Sequence, residues 1–237
     1  MALHLVEIRP DPATLIRFLG TQGLTGRADE DLGYGIHAWL CAAFGECAPR
    51  PWRLLWQHGR PPRILGYSHQ DATQMRERME EFADPGVGVV CARTDDIVSR
   101  NMPTFREGRE LGMEVQCMPV IRKSRTGIEQ DVFLSIDEGT GKRRDEVYCD
   151  WARDRLLASG AIGDVHLVLQ GFRLVKQMRR TSKRDGKRNT TTLVRPQVQL
   201  QGQFVVKDAE AFLALLGRGL GRHTAFGYGM MLLRPPS

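Results

Sequence analysis

Nothing in the 237-residue sequence approaches the ~18 uninterrupted apolar residues that a membrane-spanning helix requires. The opening MALHLVEIRP lacks the basic, then apolar, then small-residue order of a secretory leader, and reads instead as a first strand. Cysteines are few and odd in number: Cys41, Cys47, Cys91, Cys117 and Cys149, with no CxxC among them. That pattern argues against a disulfide framework and a structural zinc, and fits reduced thiols in a cytoplasmic protein. HExxH, P-loop and paired-carboxylate motifs are also missing, and the expectation is chemistry with no metal and no cofactor. There is no pair of HxT or HxS motifs for a two-histidine phosphodiesterase. An RNP1-like aromatic strand, the mark of a generic RNA-binding regulator, is absent too.

What is present is ordinary in bulk and unusual in one place. Hydrophobic residues at 41% and charged residues at 26% suit a globular protein with one or two cores. Between Arg173 and Arg195, however, lie nine basic residues and a single acid, Asp185. This segment carries +8 in a chain of +6, which leaves about −2 for everything else. A basic surplus held by a tenth of the sequence is a local device, and its partner is expected to be a polyanion, RNA above all.

Periodicity divides the chain into two similar halves. In the first, residues 3–9 read as a strand and Pro12 opens a short helix to Leu19. Asp29 caps a longer helix ending at Phe44–Gly45. WRLLWQ (52–57) and PRILGYS (62–68) form a hairpin, and His69–Phe82 a helix. VGVVCAR (87–93) then reads as the closing strand. In the second half, MEVQCMPVI (113–121) is a strand, made irregular by Pro119. Asp145–Ser159 is a helix, strands follow at 165–175 and 196–206, Asp208 starts a helix to Leu216, and GMMLLR (229–234) closes the sheet. Two β-α-β-β-α-β units in tandem make an α+β protein of two ferredoxin-like, RRM-like domains, placed at 1–95 and 112–237. Trp39, Trp52, Trp56 and Trp151 are expected to pack in cores or between domains.

The basic segment falls between the two central strands of the second unit. Arg179, Arg180, Lys183, Arg184, Lys187 and Arg188 then occupy the tip of a long hairpin turning at Asp185–Gly186, with Lys176 on its approach. Such a finger suits phosphates and guanine edges. A second feature is the glycine-rich tail, with Gly217, Gly219, Gly221, Gly227 and Gly229 in fourteen residues beside Arg218, Arg222 and His223. No GK[ST] follows, and the helix precedes the glycines, which excludes a Walker loop and a Rossmann fingerprint. An anion-holding loop and a plain tight connection both remain open on this pattern alone.

The tail GRGLGRHTAFGYGMMLLRP resembles the glycine-rich signature of the repeat-associated mysterious proteins, an RNA-binding superfamily of CRISPR systems. The helix carrying Tyr34-Gly35-Ile36-His37-Ala38-Trp39-Leu40 and ending Phe44-Gly45 is similar to the catalytic helix of the CasE family of type I-E systems. The resemblance implies cleavage of a CRISPR repeat beside its stem-loop without metal, with the product kept in an effector complex with other subunits. It implies His37 as general acid or base, and Tyr34 as the group positioning the 2′-OH or the phosphate. The long charged loop 123–144 and hairpin tip depart from the pattern and leave a type IV relative open. A non-catalytic RNA-binding subunit of the effector complex is the alternative.

Helix geometry is compatible with that role. At 100° per residue, Leu32, Ile36, Trp39, Leu40 and Ala43 share an arc of roughly 100°. His37 lies about 110° from its centre, and Tyr34, one turn earlier, can face the same site. His223 is the next candidate, for phosphate contact or an acid–base pair.

Overall fold

Strand β1 (His4–Ile8) buries Val6 and Ile8 and pairs antiparallel on both sides. Its partners are β3 (Arg63–Ser68), in the register His4↔Ser68 to Ile8↔Ile64, and β4 (Ile97–Asn101). With β2 (Trp52–Leu55) on the outside of β3, the sheet order is β2-β3-β1-β4. The computed structural model describes residues 2–24, 32–57, 59–122, 127–136, 140–180 and 190–236.

Helices α1 (Pro12–Thr21), α2 (Gly33–Phe44) and α3 (Ala72–Phe82) cover this first sheet. Asp11 caps α1 by accepting from the Thr14 amide, with Pro12 at the first helical position where no amide is needed. Asp71 and Gln74 form a reciprocal capping box on α3. The α2 stripe is buried as its periodicity predicts: Ile36, Trp39, Leu40 and Ala43 are each at most 1% exposed, while Leu32 is half-buried. Gly35 lets α2 approach α1, since a β-carbon there would meet Leu19 Cδ2 at 2.7 Å. Asp29, expected to cap α2, lies outside the described residues.

The run 87–93 is not the closing strand. Pro85–Gly88 forms a short helix, α4, and Val89–Cys91 a 3-10 turn. Val87, Val90 and Cys91 are buried at helical spacing, which the apolar run had disguised as extended chain. The sheet is closed by β4, whose Val98, Ser99, Arg100 and Asn101 leave only Ile97 fully buried.

The second sheet has the order β10-β5-β9-β8, the same ferredoxin-like arrangement. It is built from β5 (Glu110–Cys117), β8 (Ile162–Arg180), β9 (Thr190–Val206) and β10 (Met231–Arg234). A small hairpin of β6 (Val120–Arg122) and β7 (Glu129–Asp131) is inserted before α5 (Arg144–Leu157), and α6 (Ala209–Arg218) follows β9. Pro119 ends β5 early, as its missing amide requires. Asp208 caps α6 on the Ala211 amide, and Phe212 packs on Phe105 and Phe204 at ring distances of 4.8 and 5.3 Å. The protein is thus α+β with two tandem ferredoxin-like domains.

By contacts the chain forms two compact units. One consists of Met1–Met102, Lys176–Val194 and Ala225–Gly227, the other of Pro103–Val175, Arg195–Thr224 and Tyr228–Ser237. Trp39, Trp52 and Trp151 are buried as expected, whereas Trp56, just past β2, is 42% exposed. Among the described residues no helix is long and apolar enough to cross a membrane.

Candidate functional site

His37 and Tyr34 stand one turn apart on α2, both half-buried, and both rest on the same ring. Phe226 stacks on Tyr34 with ring centroids 6.0 Å apart and planes 11° from parallel. The same Phe226 meets His37 edge-on, at 4.9 Å and 71°. One further turn along α2, Cys41 Sγ lies 3.6 Å from His37 Nδ1 and 3.8 Å from Nε2. Burial, and then the positive charge of Arg50, hold the imidazole below its ordinary pKa. It is therefore neutral near pH 7, able to take a proton. Burial pushes the Cys41 thiol up, leaving it protonated.

Phe226 is held there by Trp52. The indole Nε1 of Trp52 donates to the Ala225 carbonyl at 2.9 Å. On the other side of Phe226, Gly227 adopts φ +88°, and a β-carbon on it would meet the Trp52 ring at 2.9 Å. Trp52 itself is 1% exposed on β2. A segment late in the sequence thus becomes part of the first unit and supplies one wall of the His37 environment.

In the second unit, the glycine-rich tail is pinned by the inserted hairpin. Glu129 on β7 accepts from Arg222 Nε at 2.7 Å and pairs with His223 Nε2 at 2.9 Å, with Arg195 Nε at 3.6 Å. Burial alone would raise the Glu129 carboxyl, but His223 and Arg222 outweigh it and hold it below the usual carboxylate range. An ionised carboxylate only accepts, so Nε2 of His223 carries the hydrogen. Burial keeps His223 below its ordinary pKa in spite of Glu129. His223 takes a left-handed backbone, φ +65°, between Gly221 and Gly227. Next to Glu129, Asp131 accepts from Tyr148 Oη at 2.9 Å and from Arg144 Nη1 at 3.2 Å.

The tail residues singled out in the sequence therefore divide. Arg222 and His223 spend donors inside the protein, on Glu129, and Arg218 is exposed at the end of α6. Gly219, Gly221, Gly227 and Gly229 all have positive φ, as a tight connection requires, and Gly217 lies within α6. Lys176 is exposed on β8. Arg179 and Arg180 end β8, and Lys183, Arg184, Lys187 and Arg188 lie outside the described residues. Sequence reasoning missed Phe226 and Glu129. The first lies inside the tail motif, the second in the long charged loop 123–144. Glu129→Gln would leave Arg222 and Arg195 facing a neutral amide, and is expected to lower unfolding free energy by about 1–3 kcal/mol. Urea denaturation of the two proteins measures it.

Comparison with known proteins places this architecture. The profile of the family described as CRISPR associated protein matches residues 3–235, nearly the whole chain. This protein belongs to that family of CRISPR-associated proteins. No curated protein matches the sequence. Among solved structures, the CRISPR endoribonuclease Cse3 bound to a 19-nucleotide RNA is similar at 20% identity and a TM-score of 0.60, covering 98% of this chain and 100% of that one. Thermus thermophilus Cse3, bound to an RNA representing a pre-cleavage complex, is similar at 19% identity and a TM-score of 0.57, covering 99% and 100%. A chain of a CRISPR RNA-guided surveillance complex follows at 15% identity and a TM-score of 0.58, covering 98% and 99%.

Proposed function

We propose that this protein is a CRISPR-repeat endoribonuclease that cuts precursor RNA by attack of a ribose 2′-OH on the adjacent phosphate, without a metal. The observation that carries the reading is the Tyr34–His37 pair, set on one aromatic ring and holding a neutral imidazole, in a chain with the fold of RNA-bound Cse3. His37 takes the 2′-OH proton as the oxygen bonds to phosphorus. The bond to the 5′-oxygen breaks, and that oxygen leaves with a proton returned to it. The products are a 2′,3′-cyclic phosphate and a 5′-OH. Tyr34 orients the 2′-OH or the phosphate, and arginines and lysines offset the charge that builds on the phosphate oxygens. Proton transfer of this kind needs only groups that titrate or hydrogen-bond near neutrality, which imidazole and phenol supply.

The basic segment 173–195 suits a repeat stem-loop by its charge. A-form RNA has a deep, narrow major groove, so these residues would meet phosphates and shape more than base edges. Cytoplasmic assembly with further effector subunits completes the reading, the likeness to a surveillance-complex chain being its support.

That same likeness favours a second reading, an RNA-binding subunit with no cutting activity. Incubating the wild-type protein with its repeat RNA in EDTA separates the two. The nuclease reading expects a discrete cut in EDTA, whereas a retained but intact RNA supports the subunit. The pH profile adds a check. A base with a depressed pKa is active wherever it is unprotonated, so the acidic limb of kcat/KM, which reports the RNA-free protein, should fall below the ordinary imidazole value of about 6.5. A limb above that value would contradict the assignment.

A further inference from the structure

We infer that Phe226 is a positioning residue for the reaction, an aromatic wedge that fixes the rotamers of His37 and Tyr34 together and shields the imidazole from water. This rests on the nuclease reading above. The two groups differ in what they do, yet their geometry is set by one ring: parallel to Tyr34 at 6.0 Å and edge-on to His37 at 4.9 Å. Aromatic pairs at these separations hold preferred angles, so the phenol and the imidazole are coupled through the ring between them.

The wedge is itself anchored on both flanks. Trp52 ties down the Ala225 carbonyl by a hydrogen bond of 2.9 Å, and its ring closes against the Gly227 backbone. Gly227 is at φ +88°, where only glycine is unstrained, so the chain turns at once after the ring. Trp52 is 1% exposed and belongs to a β2 that pairs with β3 from Trp52↔Gly66 to Leu55↔Arg63. Phe226 itself is half-buried.

Among the described residues, the titratable and charged groups around the imidazole are Tyr34 and Cys41 on α2 and Arg50 ahead of β2. The thiol is neutral, so desolvation and Arg50 set the protonation of His37, and Phe226 contributes to the first. Removing the ring should free both rotamers and admit water to the imidazole.

The test compares Phe226→Ala, Phe226→Leu and Phe226→Tyr with wild type. His37 is titrated by NMR without RNA, and single-turnover cleavage is measured against pH. Phe226→Ala is expected to cut about tenfold more slowly or worse, since loss of aligned geometry is costly. Its His37 titration and its acidic limb should both move to higher pH. Phe226→Tyr, which keeps the ring, should return both toward wild type. Phe226→Leu fills the volume without the planar face, should fold, and should remain slow; it decides the matter if the alanine variant does not fold. A variant lacking the ring that titrates and cuts like wild type overturns the inference. So does a Phe226→Ala variant that cuts slowly with an unmoved titration, because that is a merely structural effect. If wild type itself does not cut, the nuclease reading has failed, and the NMR titration still reports separately whether Phe226 governs His37.

Discussion

Substituting His37 by alanine is expected to lower single-turnover cleavage of the repeat RNA by about 10²–10⁴-fold, the usual range for a lost proton-transfer group. Binding should change little, since His37 is neutral near pH 7 and carries no charge to phosphate. The effect on folding should be small too. His37 sits at the rim of the buried α2 stripe, whose Ile36, Trp39, Leu40 and Ala43 do the packing. Paired filter-binding and cleavage assays separate these outcomes. Cleavage within a few-fold of wild type would remove His37 from the reaction, and loss of binding in parallel would recast it as a structural residue. Tyr34→Phe keeps the stack on Phe226 and removes only the hydroxyl. It therefore isolates what the phenol contributes by hydrogen bonding.

Neutralising the basic segment should have the larger effect on affinity. Replacing Arg179, Arg180, Lys183, Arg184, Lys187 and Arg188 by alanine removes six positive charges from a segment that carries +8. If each contacts a phosphate, the slope of log K against log salt should flatten by about 5. Affinity at physiological salt should fall about hundredfold or more. The double change of Arg179 and Arg180 should flatten the slope by about 2. An unchanged salt slope would mean that these residues do not meet the backbone of the RNA.

How much of this was legible in the sequence depends on the range of the interactions involved. The α2 stripe, the start of α6 at Asp208 and the irregularity at Pro119 are local signals, each legible from neighbours a few positions away; the caps Asp11 and Asp71 are equally local and appear only in the structure. The run 87–93 shows where local pattern fails. Its apolar residues fit a strand by composition and a helical turn by spacing, and burial of Val87, Val90 and Cys91 decides for the turn. β4 escaped notice because only Ile97 of its five residues is fully buried. The partners of the site lie further off still. Phe226 meets His37 across 189 positions of chain, and Glu129 meets His223 across 94. No periodicity reports such pairs. The tail motif marks the neighbourhood of Phe226, but its five glycines report backbone freedom alone, and the residue that reaches α2 lies between them.

Arg222 and His223 illustrate a related point. In sequence they look like anion-binding donors in a glycine loop. In the structure they are partners of a carboxylate from the inserted β6–β7 hairpin. In sequence, the insertion shows only as a departure in length and charge. The contact with Glu129 takes one of the five N–H donors of Arg222, whose side chain is 47% exposed, so it positions the residue without deciding against contact with RNA.

The most direct test of the account is the chemistry of the cut ends. Wild-type protein incubated with repeat RNA in EDTA should leave a 2′,3′-cyclic phosphate on the upstream fragment and a free 5′-hydroxyl on the downstream one. A 3′-hydroxyl paired with a 5′-phosphate would mean that water, not the ribose, attacked, and that His37 and Tyr34 do not do what is proposed for them.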